Sequence, residues 1–415
     1  MKRGIMYNLG AIGAGEAARE ARALKLAFLA QILPDFTGGV TERIEQINLA
    51  AEGLRFNTPI PGFNFPKILG PFNNFDARAF LNENLSLTGL RNWRSSQQNA
   101  RSAELSLKDS HELVALAVSG SYLQLIASAA RIQTVNAQIA TAQTVYQQAV
   151  DRNRSGLNAR IDVNRSQVEL QIQQQRLISL TNDFEKQKIA LARLIGLPMG
   201  QMFTLTDMIS YREEPPPNTA EMVQLAISNR PDVQAAQAQV KAAELAKKAA
   251  TAERYPSLDV AADYGAAGIN PTNSAHGTFS ASAGVQFPIF RSGRTRADIQ
   301  QAEAALAQRQ AEYEDMKGRA EQDVRNAVLD ADAAVRQIQV AESNRMLAGE
   351  TLDQARDRFR AGVSDTVELV QAQESVATAE QDYITALYAY NLARIGLARS
   401  IGDTERGIAS LLEGK

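Results

Sequence analysis

The chain has no cysteine, two histidines and a single tryptophan, Trp93, among its 415 residues. Without cysteine it has no disulfide, no thiolate metal site and no lipidated thiol in this sequence. His111 and His276 lie far apart without ligand spacing, which leaves no histidine-based catalytic centre. Nothing resembles a nucleophile, a metal cluster or a phosphate loop, so an enzyme is the least favoured class, and no cofactor or metal is expected. A net charge of −2 gives no broad electrostatic pull toward nucleic acid. Long hydrophobic runs are also missing. The nearest to a membrane helix, 113–130, carries serines, glycine and glutamine, and its counterpart at 319–336 is heavily charged, so both read as helices buried against other helices.

What is present is a duplication. DRNRSG at 151–156 returns as DRFRAG at 357–362, and LARLIG at 191–196 returns as LARSIG at 397–402. Both offsets are 206, since 362 − 156 and 402 − 196 give the same number. About a hundred residues align without a gap at that offset, a period far longer than the roughly 20–50 residues of a solenoid repeat.

Helical periodicity dominates each copy. Ile338, Ala341, Arg345, Ala348, Leu352, Ala355 and Phe359 step by three and four, break at Gly362, and resume as Val376, Ala379, Tyr383, Ala386, Tyr390, Ala393 and Leu397. Each copy is thus expected to be a long helical hairpin whose turn is the repeated phrase. The first repeat is placed at 1–204, with a partial N-terminal helix, strands about 40–49 and 74–81, and a hairpin about 93–196 turning at 155–158. A linker follows at 205–229, where the prolines 215–217 make a stiff break and Asn218 with Glu221 makes a capping box. The second repeat is placed at 230–415, with a helix over 231–254, strands about 257–264 and 278–287, and a hairpin about 292–402 turning at 361–364.

The strands bear most on function. In 278–287, Phe279, Ala281, Ala283, Val285 and Phe287 share one face while Thr278, Ser280, Ser282, Gly284 and Gln286 share the other. Leu258, Val260, Ala262 and Tyr264 alternate likewise, as do Phe75, Ala77, Ala79 and Leu81, whereas 40–49 alternates poorly. Ten residues of such alternation suit a transmembrane β-strand, and equally a soluble sheet with one buried face. Long polar helices offer such a sheet no globular core. Four strands cannot close a barrel, so a chain that spans a membrane this way must oligomerise.

The whole arrangement resembles the TolC-type outer-membrane efflux proteins. The resemblance is carried by RPDVQAAQAQVKAAELAKKAATAERYPSLDVAADYG at 230–265, FPIFRSGR at 287–294, DRFRAGVSDTVELVQAQ at 357–373 and ALARLIGLP at 190–198, and covers nearly the full chain. It implies a mainly α fold with a transmembrane β-barrel portion: a homotrimer with a 12-stranded barrel in outer-membrane lipid, continued through the periplasm by an α-helical barrel. It also implies a periplasmic adaptor and an inner-membrane pump as partners. Against that family the chain starts late, without signal peptide or opening helix, and truncation is the expected reason.

The resemblance assigns Gly156, Leu157, Gly362 and Val363 to adaptor-docking tips, although the glycines also serve simply to close a tight turn. It assigns Asp162 and Glu368 to the periplasmic constriction, where threefold symmetry makes rings of carboxylates. The same two residues suit a first helical turn, and Asp365 with Glu368 has capping-box spacing. Phe359 and Ser364 stand where the family's best-known member ties its closed entrance with a tyrosine and an arginine. That leaves the closed state to be held differently, with Arg160, Arg358 and Arg360 as candidates. The competing readings are a periplasmic adaptor, which should carry one hairpin rather than two, and a coiled-coil scaffold, which has no use for the strands. The exported substrate is not legible.

Overall fold

In the computed structural model the described residues are 2–54, 66–157, 159–207, 210–212, 218–272, 274–364, 366–405 and 407–408. The prolines 215–217, Asp365, residue 158 of the first turn and the chain end beyond 408 lie outside them. In chain order the elements are α1 (Lys2–Tyr7), α2 (Leu9–Ala30), β1 (Asp35–Asn48), β2 (Ile68–Leu85), α3 (Leu87–Arg154), α4 (Arg160–Leu194), α5 (Thr219–Asn229), α6 (Pro231–Ala252), β3 (Ser257–Gly268), β4 (His276–Gln286), α7 (Arg294–Arg360) and α8 (Thr366–Ser400). The duplication is visible in the lengths: α3 and α7 have 68 and 67 residues, α4 and α8 35 each.

The chain divides into two compact units, one of Met1–Ala18, Ser102–Gln237 and Ala311–Lys415, the other of Arg19–Arg101 and Ala238–Gln310. Each draws on both sequence repeats, so compactness cuts across the duplication at 1–204 and 230–415.

The smaller unit holds a four-stranded antiparallel sheet in the order β1-β2-β3-β4. Its register pairs Phe36 with Leu81, Leu81 with Ala262, and Ala262 with Ala281, so one side-chain row crosses all four strands. That face carries Phe36, Val40, Ile44, Phe75, Tyr264, Phe279 and Val285, and Phe36 and Phe279 are 71% and 72% exposed. The opposite face is polar apart from Phe72 and Phe80 of β2. On it Arg78 bridges Asp76 at 2.5 Å and Asp263 at 3.0 Å, while Ser280 donates to Asp263 and Asn84 to Asp259.

β1 starts five residues before the expected 40–49, and β2 extends well beyond 74–81 at both ends. The poor alternation of β1 has an identifiable cause: Glu42 falls on the apolar face, where it accepts from Asn73 of β2 at 3.4 Å. The first hairpin starts at Leu87, earlier than 93, because the Ser86 hydroxyl accepts from the Gly89 N–H at 3.1 Å and caps the helix. At the linker, Asn218 caps α5 through Ala220 N–H at 3.1 Å, and Pro231 opens α6 where no N–H is required.

The larger unit is helical. One 18-residue window of α3 is long and apolar enough to cross a membrane by length and composition, and half of it is buried. Its Val114, Val118 and Leu125 pack with Leu191 of α4, and Ala115 and Leu123 with Ile395 of α8. Burying a side chain such as Leu123 stabilises by about 1.5–3 kcal/mol. α5 docks Val223 and Ala226 against Val324 of α7.

Candidate functional site at the hairpin tips

Both hairpin tips, within the larger unit, close by the same hydrogen-bond pattern at the same 206-residue offset. Leu157 N–H donates to Arg152 C=O at 2.9 Å and Gly156 N–H to Asn153 C=O at 3.0 Å; in the second copy Val363 donates to Arg358 at 3.1 Å and Gly362 to Phe359 at 3.2 Å. This is the Schellman closure of a helix, and it requires a left-handed residue. Gly156 and Gly362 supply it with φ of 75° and 72°. Leu157 and Val363, the next residues, project outward at 77% and 68% exposure. The far ends of the hairpins repeat the pattern: Leu197 donates to Ala192, and Asp403 to Ala398, across Gly196 and Gly402.

Behind the tips lies a small core made of Val145 from α3, Leu352, Ala355 and Phe359 from α7, and Leu369 and Ala372 from α8. Phe359 is only 2% exposed, so within the protomer it faces this core and not open solvent. Arg152 seals it from α3: its guanidinium sits 4.2 Å from the Phe359 ring centroid and donates to the Phe359 carbonyl at 2.9 Å. That residue was not among the expected site residues. The clue was available only in three dimensions, since α3 and α7 meet across 207 positions of chain.

The other expected site residues are placed as follows. Asp162 stands in the first turn of α4 with Arg165 at 3.7 Å, and Arg160 opens that helix, exposed. Glu368 occupies the duplicate position in α8 and is held across the turn by Arg358, Nε to Oε1, at 3.0 Å. Arg360 pairs with Asp357 at 3.7 Å. The Ser364 hydroxyl is buried without a hydrogen-bond partner. Among the described residues no group of three or more His, Asp or Glu is placed to hold a metal ion.

A buried ionic cluster lies elsewhere in the larger unit. Arg230 bridges Asp232 at 2.7 Å and Asp323 at 2.8 Å, and Arg399 reaches Asp109 at 2.6 Å. Burial works against the charge of Asp232, yet the Arg230 hydrogen bonds outweigh it and hold the carboxyl below the usual range. Burial prevails at Asp109, whose carboxyl is pushed up despite Arg399. Glu112 accepts from the Thr404 N–H at 2.8 Å, tying the segment after α8 to α3.

The chain thus combines a sheet that is apolar on one face and largely polar on the other with two helical hairpins of matched tips. Residues 70–197 and 222–403 match the sequence profile of the outer membrane efflux proteins, and the chain belongs to that family. It is 25% identical over 326 residues to the pyoverdine export outer membrane protein OpmQ of Pseudomonas putida, covering 76% of this chain and 67% of that one. It is 24% identical over 402 residues to the probable outer membrane lipoprotein SilC of Salmonella typhimurium, covering 94% and 84%. The fold is similar to the open state of the Neisseria gonorrhoeae MtrE outer membrane channel, with a TM-score of 0.79 at 18% identity over 97% of this chain and 88% of that one.

Proposed function

We propose that the chain is the outer-membrane exit duct of a tripartite efflux or secretion system, conducting substrates passively from a periplasmic adaptor and inner-membrane pump. The observation that carries the reading is the sheet. One face is apolar and exposed, the other is largely polar, and β1 and β4 lie at its two ends with no further strand partner among the described residues. In lipid every backbone N–H and C=O must be paired, so such a sheet is stable only when its edges meet those of other copies. Three copies supply twelve strands, enough for a closed barrel with a polar lumen.

In this reading the helices continue the duct into the periplasm, Leu157 and Val363 are the apolar contacts offered to the adaptor, and Asp162 and Glu368 line the narrow entrance as threefold rings. Rings of carboxylates favour cations. The test is to express the chain with a secretion signal, fractionate the cells, and size the detergent-extracted membrane protein. A trimer in the outer-membrane fraction is expected. A soluble monomer or dimer overturns the duct and returns the hairpins to a scaffold.

A further inference from the structure

We propose that the helix-bearing end of the sheet, within the smaller unit, is a collar that binds anionic phospholipid headgroups, built on the segment 287–294 that follows β4. The proposal rests on the duct reading and names the lipid chemistry at one rim of it. All four strands meet their helices at this end. The register pairs Asp35 with Asn82, Leu85 with Leu258 and Ser257 with Gln286, so β1 and β3 start where β2 and β4 finish.

The apolar side chains of the segment stand in the open. Phe287, Ile289 and Phe290 are 67%, 95% and 84% exposed, and Tyr255, just before β3, is 57% exposed. A single exposed apolar residue is ordinary, but a cluster at this exposure marks a surface that meets something other than water. A defined turn follows it. Ser292 and Gly293 adopt left-handed φ of 46° and 82°, the Arg294 N–H donates to the Arg291 C=O at 2.9 Å, and the Ala297 N–H donates to the Gly293 C=O at 3.1 Å as α7 begins. Serine seldom takes that conformation, so the fold rather than local preference sets Phe290 beside two arginines.

Charge and continuity identify the partner. Residues 253–256 and 287–298 carry Arg254, Arg291, Arg294 and Arg296 against only Glu253 and Asp298, a surplus of two positive charges. Arg291 reaches Glu253 at 3.3 Å and Arg294 reaches Asp298 at 3.7 Å, yet the Arg294 side chain remains 81% exposed. Val285, the last residue of the apolar row on β4, is 55% exposed and lies two positions before Phe287, so the collar continues the surface that the duct reading turns to lipid. Aromatic rings at a bilayer boundary are general to transmembrane barrels. The surplus arginine beside them is what selects an anionic headgroup over a zwitterionic one, because guanidinium groups take phosphate oxygens and answer the negative charge of the surface.

The test uses tryptophan as a depth reporter, which the single Trp93 makes practical. Phe290→Trp and, separately, Ala281→Trp are placed in a Trp93→Phe background, and the full chain is reconstituted into vesicles whose brominated lipid is either phosphatidylglycerol or phosphatidylcholine at equal mole fraction. If Trp93→Phe does not assemble, Trp93 is kept and its signal subtracted. The Phe290→Trp reporter should be quenched more by bromine near the headgroup end of the acyl chain than by bromine deeper in it, and Ala281→Trp the reverse. Brominated phosphatidylglycerol should quench Phe290→Trp about two- to fivefold more than brominated phosphatidylcholine. Adding Arg254→Gln, Arg294→Gln and Arg296→Gln should abolish that preference and leave Ala281→Trp unchanged. Quenching of Ala281→Trp without quenching of Phe290→Trp overturns the collar and leaves the duct standing, with the segment packed between copies. Equal quenching of Phe290→Trp by the two lipids, or a preference that survives the arginine substitutions, overturns the headgroup site. Quenching of neither reporter removes the duct reading and the collar with it.

Discussion

Arg152 grips Phe359 twice, through the ring face at 4.2 Å and through the backbone carbonyl at 2.9 Å, and so joins the end of α3 to the end of α7. The two arms belong to different copies of the duplication. The contact therefore ties one hairpin to the other beside both turns; if the tips form the proposed entrance, opening has to break it.

The first prediction concerns that clasp. A half-buried cation–π contact is worth about 0.5–2 kcal/mol. Arg152→Ala should loosen the tips without unfolding the helices, seen as faster trypsin cleavage at Arg358 or Arg360 and larger conductance in planar bilayers. Phe359→Ala also empties part of the core around Leu369 and should cost about 3–5 kcal/mol in global stability. Unchanged cleavage and conductance in Arg152→Ala would remove the clasp from the gating argument.

The tip glycines give a paired prediction. At Gly362, with φ of 72°, alanine has space but the wrong backbone, so Gly362→Ala should destabilise by about 1–2 kcal/mol. Gly318 lies inside α7 with nothing within 4 Å of an added Cβ, so Gly318→Ala should stabilise by up to about 1 kcal/mol. Opposite shifts in Tm are expected.

The division between what sequence did and did not disclose follows from the range of each interaction. Gly156 and Gly362 were readable because a helix C-terminus is a local problem with few chemical solutions. The face of β4 was readable because alternation is local too. β1 was not, because Glu42 on the apolar face depends on Asn73 of another strand for its partner. Arg152, Arg399 and Asp109 escaped for the same reason: their roles exist only through residues about two hundred or more positions away.

The Arg230 cluster predicts an acid-dependent stability. The folded pKa of Asp232 is depressed, so its contribution is fully present above the unfolded carboxyl value of about 4 and is lost as pH falls through the lower folded value. Arg230 is buried and keeps only Asp323 if Asp232 loses its charge. Asp232→Asn should therefore cost about 3 kcal/mol at pH 7, with the gap to the parent narrowing below pH 4. Urea midpoints at pH 7 and at about pH 3 measure the difference. A gap that does not change with pH would mean that the loss is steric.

Glu368 tests the entrance. Replacing it by glutamine keeps its volume, removes a carboxylate from the proposed ring and frees Arg358 from its 3.0 Å partner. Both changes make the entrance more positive. Reversal potentials in a salt gradient should show weaker cation preference, and more so when Asp162→Asn is added. An unchanged reversal potential would place Glu368 away from the narrowest point, leaving it the ordinary task of favouring a helix N-terminus.

The sheet offers the sharpest contrast, because Ala281 and Ser282 are adjacent, similarly small and on opposite faces. Ala281 lies in the row with Phe36, Leu81 and Ala262, and Ser282 opposes Ala261 on the polar side. Arginine toward lipid costs about 2–4 kcal/mol near the bilayer centre, whereas arginine toward a water-filled lumen is solvated. Ala281→Arg should therefore reduce the amount of heat-resistant trimer recovered from the outer membrane, and Ser282→Arg should leave assembly intact while lowering cation conductance. If the two faces were reversed, the two phenotypes would exchange. If the sheet belonged to a soluble protein, neither variant would alter membrane recovery, because there would be none.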